Sequence, residues 1–186
     1  MRLPGVVASD TDDADIERPD RSCLDVANLP VRPRPDTIAE VSDLVLLLHG
    51  PNLNLLGERE PHIYGTDTLD DYVAFATAAA DEHDLTIEAH QSNFEGELIQ
   101  HVHGARGRCA AIIINPGAFT HYAWAIHDAL AAFDGPVVEV HISNPNAREP
   151  WRHTSVIAPV ATGSIVGFGK QGYDLAVRAV AAKLAA

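Results

Sequence analysis

Short apolar segments alternate with amphipathic segments from Asp43 to the end of the chain, and this rhythm limits the folds that the chain can adopt. The segment LVLLL at 44–48 is wholly apolar, and AAIIIN at 110–115 is apolar up to its last residue. Such runs are typical of strands that are covered on both faces of a parallel sheet. The predicted strands are 44–48, 85–91, 110–115, 136–143 and 164–168.

Segments with helical patterns lie between and after these strands. They begin TLDDYV, SNFEGE, THYAWA and KQGYDL. Thr68 with Asp71, and Ser92 with Glu95, have the spacing of a helix capping box. Strands that alternate with helices predict an α/β fold. For residues 41–186 we predict a single flavodoxin-like domain, a doubly wound five-stranded parallel sheet with helices on both faces.

Residues 1–40 differ in composition from the rest of the chain. They contain five of the twelve prolines and nine acidic residues, and they show no apolar periodicity. A segment of this kind cannot bury enough apolar surface to fold, so we predict a disordered, acidic, proline-rich leader. A mis-assigned start codon and an adapter tail are both consistent with this composition.

The overall charge argues against some classes of partner. Lysine and arginine total 13 against 26 aspartates and glutamates, a formal net charge of −13. A surface this negative disfavours nucleic acid and anionic membranes, so an anionic substrate requires a local basic pocket. Cys23 and Cys109 make no disulfide framework, and no segment has the apolar length of a signal core or a membrane span. We therefore predict a cytoplasmic protein.

Two features suggest a cofactor, and both fall short. GFGKQG at 167–172 has the glycine spacing of a dinucleotide site, but Ala186 comes before the further strand and acidic residue that such a site requires. These glycines also fit a last helix that packs close to the sheet. Among the ten histidines, His101 and His103 are two positions apart on a predicted helix and face different ways. We predict neither a nucleotide nor a metal.

Ligands in doubly wound sheets bind beyond the carboxyl ends of the strands. That rule selects four loops here: 49–66, 91–96, 115–121 and 141–155. Several polar residues in these loops leave two interpretations open. Asn52 and Asn115 are candidate binding residues but also common turn formers, and Arg148 and Arg152 also fit a solvated surface.

Glu139, His141 and Ser143 alternate along the fourth predicted strand, so their side chains share one face. Packing does not readily explain three polar groups on an otherwise apolar strand, since each unpaired buried group costs about 1–3 kcal/mol. An acidic neighbour also favours the charged, proton-donating form of His141. This face of the strand is therefore the strongest candidate for chemistry.

Five motifs occur in a fixed order along the chain: GPNLNLLGEREPHIYG, QSNFEGELI, INPGAFTH, EVHISN with the following ARE, and ATGSIVGFGKQGY. Together they are similar to the motifs of type II 3-dehydroquinate dehydratase. The resemblance extends from about Leu44 to near the C-terminus, with the spacings intact. Only the 40-residue leader lies outside it.

The resemblance implies an enzyme, a carbon–oxygen lyase that dehydrates 3-dehydroquinate to 3-dehydroshikimate by an anti elimination through an enolate. It implies no metal, no other cofactor and no Schiff base. The same reaction serves aromatic amino acid biosynthesis, through the shikimate pathway and chorismate, and the breakdown of quinate. Family members typically form homododecamers of four trimers, so the implied partners are the small-molecule substrate and further copies of the chain.

The resemblance also implies a role for each matching residue. Tyr64 would be the base and His141 the acid, and Glu139 would orient and charge His141. Asn52 would hold a water that stabilises the enolate oxygen, and Arg59 would lie beside Tyr64 on a loop that closes over the substrate. The implied substrate-binding residues are Asn115, His121, Asp128 from a neighbouring subunit, Ile142 through its backbone, Ser143 and Arg152, with Arg148 supporting the tyrosine.

A tyrosine base explains why Arg59 and Tyr64 occur on one polar loop. At neutral pH only about one free phenol in a thousand is ionised, and making phenolate the major form needs about 4 kcal/mol. An exposed ion pair supplies only about 0.2–1 kcal/mol. The cation must therefore act on the tyrosine in a site from which water is excluded.

The sequence departs from the usual family pattern at several positions, which bear on subunit contacts and loop behaviour rather than on the assigned chemistry. They include His49, Phe94, Tyr122, Trp124, His127, Pro145, Asn146 and Thr154. Two alternatives stay open at this point. One is a flavodoxin-like module that binds FMN or a nucleotide, and the other is a catalytically weakened relative.

Overall fold

One parallel sheet organises the part of the chain that the computed structural model describes, residues 42–59, 63 and 65–186. Its strands are β1 (Leu44–His49), β2 (Thr86–Gln91), β3 (Ala111–Asn115), β4 (Val137–His141) and β5 (Gly163–Val166), in the spatial order β2-β1-β3-β4-β5. This is the flavodoxin-like strand order, so the predicted fold class is confirmed. The leader at 1–40 and the predicted base Tyr64 lie outside the described residues, and what was predicted of them stays a prediction.

Four α-helices occur among the described residues: α1 (Leu69–Asp81), α2 (Glu95–Ala105), α3 (Trp124–Ala131) and α4 (Gln171–Leu184). Short 3-10 helices at Leu53–Leu55, Gly117–His121, Pro145–Ala147 and Pro150–His153 shape the loops after β1, β3 and β4. None of the helices in this part of the chain has the length and apolar character needed to cross a membrane.

The helices cover both faces of the sheet because successive residues of a strand point to opposite sides. On one face, α1 and α4 pack in an apolar core that includes Val45 and Leu47 of β1. On the other face, a core that includes Leu46 and Leu48 packs with α2 and α3. The wholly apolar sequence of β1 follows from this burial on both sides.

Of the two capping boxes predicted at helix starts, the structure confirms one and contradicts the other. The capping box of Thr68 and Asp71 is confirmed, with each side chain bonded to the other residue's backbone N–H. The capping box predicted for Ser92 and Glu95 is wrong. Helix α2 begins after Phe94, while the Ser92 hydroxyl donates to the carboxylate of Glu97 instead.

The third predicted helix begins later than its sequence pattern suggested. The pattern placed its start at Thr120, whereas α3 begins at Trp124 after the 3-10 turn of Gly117–His121. The physical reason is that Thr120 is engaged elsewhere. Its carbonyl accepts from the Val156 N–H (2.7 Å), and its hydroxyl donates to the carboxylate of Glu139.

Candidate active site

The loops that follow β1 and β3 are locked together at the carboxyl edge of the sheet. The Gly50 N–H donates to the Asn115 carbonyl (2.7 Å). A Cβ at Gly50 would lie 2.2 Å from the Pro116 carbonyl oxygen, so this close approach of the two backbones requires glycine. Strands β1 and β3 flank the point where the strand order reverses, which is where doubly wound sheets bind ligands.

A polar cleft opens beside these loops, beyond the carboxyl ends of β1, β3 and β4. About 740 Å³ of empty space, including open solvent at the mouth, lies within this cleft. The predicted site residues that line it are Asn52, Arg59, Asn115, His121, His141, Ile142, Ser143, Arg148 and Arg152. Three arginines in one cleft provide the local positive charge that an anionic substrate needs on a chain of net charge −13.

Glu139 and His141 form a hydrogen-bonded pair at the floor of this cleft. The Glu139 side chain is only 1% exposed, and its Oε1 lies 2.8 Å from Nε2 of His141. Burial raises the pKa of Glu139, but the hydrogen bond and charge of His141 and the hydroxyls of Thr120 and Ser155 outweigh it and bring the pKa below its ordinary value. Glu139 is therefore a buried carboxylate at neutral pH, although burial alone would favour its neutral form.

Asn115 is held by a residue that sequence reasoning did not identify. Its Nδ2 donates to the hydroxyl of Tyr173 on α4 (3.0 Å), and its Oδ1 accepts from the Gly117 N–H (3.2 Å). Burial raises the pKa of Tyr173 far above its usual value, so this phenol stays neutral and can accept from the amide. The two bonds fix the Asn115 side chain at the end of β3.

Trp151, also not identified from sequence, lies between two predicted substrate-binding residues. The guanidinium of Arg152 lies 4.0 Å from the centre of its ring, and the His121 ring meets it edge to face with 5.1 Å between ring centres. His121 also donates from Nδ1 to the Thr154 carbonyl (2.8 Å). These contacts hold Arg152 and His121, which both line the cleft, against the same indole ring.

Glu149 links the two arginines of the fourth loop. Its Oε2 lies 2.8 Å from Nε of Arg152 and 3.5 Å from Nε of Arg148. The arginine side chains are largely buried, at 16–18% exposure. Arg148 and Arg152 therefore both face the cleft, and the alternative of a solvated surface pair does not describe them.

Two predicted site residues in the described part of the chain do not line the cleft: Glu139, which lies behind His141 and is bonded to it, and Asp128, which has no such link. Asp128 is exposed on α3. Asn52, in contrast, takes a left-handed backbone conformation (φ 66°) at the cleft, and its N–H donates to Asn93 Oδ1 (2.8 Å). The second loop thus contributes support for Asn52 rather than a lining residue.

The glycines of GFGKQG have a structural explanation. Gly167 (φ 86°) and Gly169 (φ 54°) have left-handed backbone conformations, which favour glycine, whereas a Cβ at Gly172 would meet Ile165 and Val140 only at an ordinary contact distance of 3.6 Å. Within the described ranges, no group of three or more histidine, cysteine, aspartate or glutamate side chains is placed to hold a metal ion.

The sheet and cleft define a flavodoxin-like α/β protein with a cationic small-molecule site at its strand switch point. The model of the family described as "Dehydroquinase class II" matches residues 43–181, and the chain belongs to this family. The resemblance found in the motifs is thereby confirmed.

Named relatives agree with this assignment. The 3-dehydroquinate dehydratase of Corynebacterium glutamicum (strain R) is 58% identical over 133 residues, which cover 72% of this chain and 92% of the relative. The catabolic 3-dehydroquinase of Aspergillus clavatus is 55% identical over 137 residues, or 74% of this chain and 91% of the relative. The crystal structure of type II dehydroquinase from Propionibacterium acnes superposes with a TM-score of 0.73 at 44% identity, covering 76% of this chain and 98% of that one.

Proposed function

We propose that this chain is a hydro-lyase that dehydrates 3-dehydroquinate to 3-dehydroshikimate. Membership of the class II dehydroquinase family and relatives named 3-dehydroquinate dehydratase support this activity. The observation that carries it is the buried Glu139 carboxylate bonded to His141 at the floor of a cleft with three arginines. The substrate is a hydroxylated cyclic ketone with one carboxylate, so it needs an anion-binding site and an acid for its leaving hydroxyl.

The bond between Glu139 and His141 determines which ring nitrogen can act as the acid. An ionised carboxylate only accepts hydrogen bonds, so Nε2 of His141 must carry a proton and donate it toward Glu139. Nδ1 is then the nitrogen available to the substrate. On a neutral ring Nδ1 would present a lone pair, and only the imidazolium ring can donate from both nitrogens. The proposed acid is therefore the imidazolium form of His141, with the Glu139 carboxylate bonded to its Nε2.

Tyr64 is the proposed base, with Arg59 as the cation that acidifies it. Arg59 lines the cleft, five positions before Tyr64 in the sequence. The tyrosine oxygen would take the proton at C2, and the C–H electron pair would form an enolate on the neighbouring ketone. When the ketone re-forms, the C1–C2 double bond forms and the C1 hydroxyl leaves. His141 Nδ1 gives that hydroxyl its proton, so the products are the enone and water.

In an anti elimination the base and the acid act on opposite faces of the ring. We infer that Asn52 holds a water against the enolate oxygen. The proposed substrate contacts, each a residue that lines the cleft, are Asn115, His121 and Arg152 to the ring hydroxyls and the Ile142 backbone and Ser143 hydroxyl to the carboxylate. Arg148, which also lines the cleft, would support the tyrosine.

We further propose that residues 41–186 form a single catalytic domain after a disordered leader at 1–40, and that the chain works in the cytoplasm as a homododecamer of four trimers. Asp128 supports the assembly, because it is exposed on α3 and needs a neighbouring subunit to reach a cleft. The exposed Tyr122 and Trp124 beside it, at 58% and 61% exposure, are consistent with a subunit contact.

The activity is tested by ultraviolet absorbance, because the product is a conjugated enone and the substrate is not. We expect absorbance to rise on addition of 3-dehydroquinate to the purified chain. Tyr64→Phe and His141→Ala should each reduce the rate by about a hundredfold or more, as expected for loss of a general base or acid, while Tyr64→Phe keeps substrate binding in calorimetry. Folded wild-type protein that gives no enone would contradict the proposal, and a yellow preparation or stabilisation by FMN would favour the flavodoxin-like alternative.

A further inference from the structure

Three hydroxyl groups surround the carboxylate of Glu139, and we refer to them as the hydroxyl collar. They belong to Thr120, Ser155 and Ser164. Thr120 donates to Oε1 of Glu139, Ser155 lies 3.0 and 3.1 Å from its two oxygens, and Ser164 lies 3.2 Å from Oε2. His141 makes the remaining polar contact at 2.8 Å.

The collar residues come from separate parts of the chain that meet under the cleft. Thr120 lies in the 3-10 turn after β3, Ser155 in the segment after the last 3-10 helix, and Ser164 on β5. Thr120 is almost wholly buried. None of the three lines the cleft, so any effect that they have on the substrate acts through Glu139 and His141.

The direction of the collar protons follows from the bonds of Ser155. Its oxygen accepts from the N–H groups of Ile157 (3.1 Å) and Ala158 (2.8 Å), which occupies both of its lone pairs. Its proton must therefore point out, toward Glu139 or toward the Thr120 oxygen 2.8 Å away. In either case Thr120 can only donate to Glu139. These hydrogen-bond directions show that the collar surrounds Glu139 as a hydrogen-bond acceptor, as an ionised carboxylate requires.

We propose that the hydroxyl collar consists of positioning residues that keep Glu139 ionised and so place the shared proton on Nε2 of His141, which makes the ring with a second proton, on Nδ1, the imidazolium donor of the site. This inference rests on the proposed dehydration. If Glu139 carried the proton instead, Nε2 would accept it and the imidazole ring would be neutral. A neutral imidazole is a far weaker acid than imidazolium, so the hydroxyl of the substrate would leave more slowly.

Physical magnitudes favour this role over simple packing. A buried carboxylate without donors takes up a proton, because burial disfavours its charge. One hydrogen bond to a charged group is equivalent to about one pH unit of carboxylate ionisation. The charge and hydrogen bond of His141 lower the pKa of Glu139, and two of the collar hydroxyls, those of Thr120 and Ser155, lower it further through neutral hydrogen bonds.

The test measures the protonation of Glu139 directly, without substrate. Protein labelled with carbon-13 at the glutamate side-chain carboxyl is titrated by NMR, and the Glu139 signal is assigned from a Glu139→Gln sample. We expect Thr120→Val and Ser155→Ala each to raise the titration midpoint of Glu139 by about one pH unit. Ser164→Ala, on an exposed stretch of β5 where loss of a hydroxyl should not prevent folding, should raise it by less because its bond is the longest.

Two controls separate this role from a loss of stability. Thr120→Ser keeps the hydroxyl and should restore the wild-type midpoint. Thr77→Val makes the same change on α1, where the hydroxyl donates to the Val73 carbonyl (2.9 Å) far along the chain from the site, and should leave the Glu139 midpoint unchanged. An unchanged midpoint in all three collar variants, or an equal shift in Thr77→Val, would overturn the inference.

Kinetics give a second readout that a merely structural role would not produce. We expect Thr120→Val and Ser155→Ala to move the acidic limb of the kcat–pH profile up by about one pH unit, because Glu139 takes up its proton at higher pH in these variants, with little change in KM. Because the titration needs no turnover, failure of the proposed dehydration in the wild type leaves the collar result readable. Shifted midpoints with an unshifted acidic limb of the kcat–pH profile would show that the collar ionises Glu139 but does not act on the acid, which would contradict the second half of the inference.

Discussion

His49 is a fully buried histidine at the end of β1, one residue before the glycine that locks the two central loops. Its Nδ1 lies 3.3 Å from the His90 carbonyl and so donates, while its Nε2 is buried with no hydrogen-bond partner. Its ring stacks on Tyr173, the residue that holds Asn115 (5.7 Å between ring centres). Burial lowers the pKa of His49 to about 4, against a smaller opposite effect of the His90 carbonyl.

This pKa predicts a loss of stability in mild acid. The unfolded chain takes up a proton at His49 near pH 6.5, whereas the folded chain does not until about pH 4. The contribution of neutral His49 to the free energy of unfolding is therefore complete above pH 6.5, and it is lost as the pH falls to about 4. The total loss is about 3 kcal/mol. We expect the free energy of unfolding of His49→Asn, measured in urea, to change less than that of the wild type between pH 6.5 and pH 4. His153→Asn, which removes an exposed histidine, is the control, and equal slopes for wild type and His49→Asn would contradict the prediction.

Trp151 gives a second prediction for a single residue. Its ring contacts Arg152 and His121, and a partly exposed cation–π contact contributes about 0.5–1 kcal/mol. We expect Trp151→Ala to raise KM several-fold, because both substrate contacts lose their support, with kcat nearly unchanged. Trp124→Ala removes an equally exposed tryptophan that contacts His127 rather than the cleft. A KM that rises equally in both variants would show that Trp151 has no special role at the site.

At the scale of secondary-structure elements, the sequence predicted the strands, but it did not predict the residues that support the site. The sequence located all five strands to within a few residues, and the signal was clearest for β1 and β3 because burial on both faces leaves a continuous apolar run. Glu139 with His141 was found by strand alternation. Ser155 and Ser164 were missed because their neighbours in space come from distant segments, and a lone serine carries no periodic signal. The start of α3 was wrong because Thr120 bonds to Glu139 and Val156 rather than to its own helix.

Adding one methyl group at Gly50 tests the close contact between the loops that follow β1 and β3. In Gly50→Ala the new Cβ would meet the Pro116 carbonyl oxygen at 2.2 Å, so the two backbones must separate. We expect a loss of about 1–3 kcal/mol of stability, typical of overpacking, and a lower kcat/KM because Asn52 and Asn115 move apart. Gly104→Ala in α2 meets no atom within 4 Å and should stabilise the chain by about 0.5–1 kcal/mol. Gly50→Ala with wild-type melting and activity would disprove the junction.

At the scale of the whole molecule, a chain of net charge −13 places arginines 59, 148 and 152 around one cleft. That contrast between local and overall charge is consistent with a small anionic substrate rather than a polyanion, which the net negative charge of the chain would repel. It also leaves Asp128 as the predicted site residue whose position on α3 a single copy of the chain does not explain.

A complementation experiment tests whether Asp128 serves the cleft of another subunit. Asp128→Ala and His141→Ala are each expected to be nearly inactive alone. In mixed oligomers, an Asp128→Ala subunit keeps its own His141 and can receive Asp128 from a His141→Ala neighbour. With random assortment in a symmetric assembly, roughly a quarter of the sites have this pair of subunits and become complete. If Asp128 acted within its own chain, no subunit of the mixture would hold both residues, and activity would not return. Mixing His141→Ala with Tyr64→Phe is the matched control, because both residues are proposed to act within one chain and no site should recover. Light scattering on the same samples reports their size, and a wild-type chain that is active as a monomer would rule out the shared site.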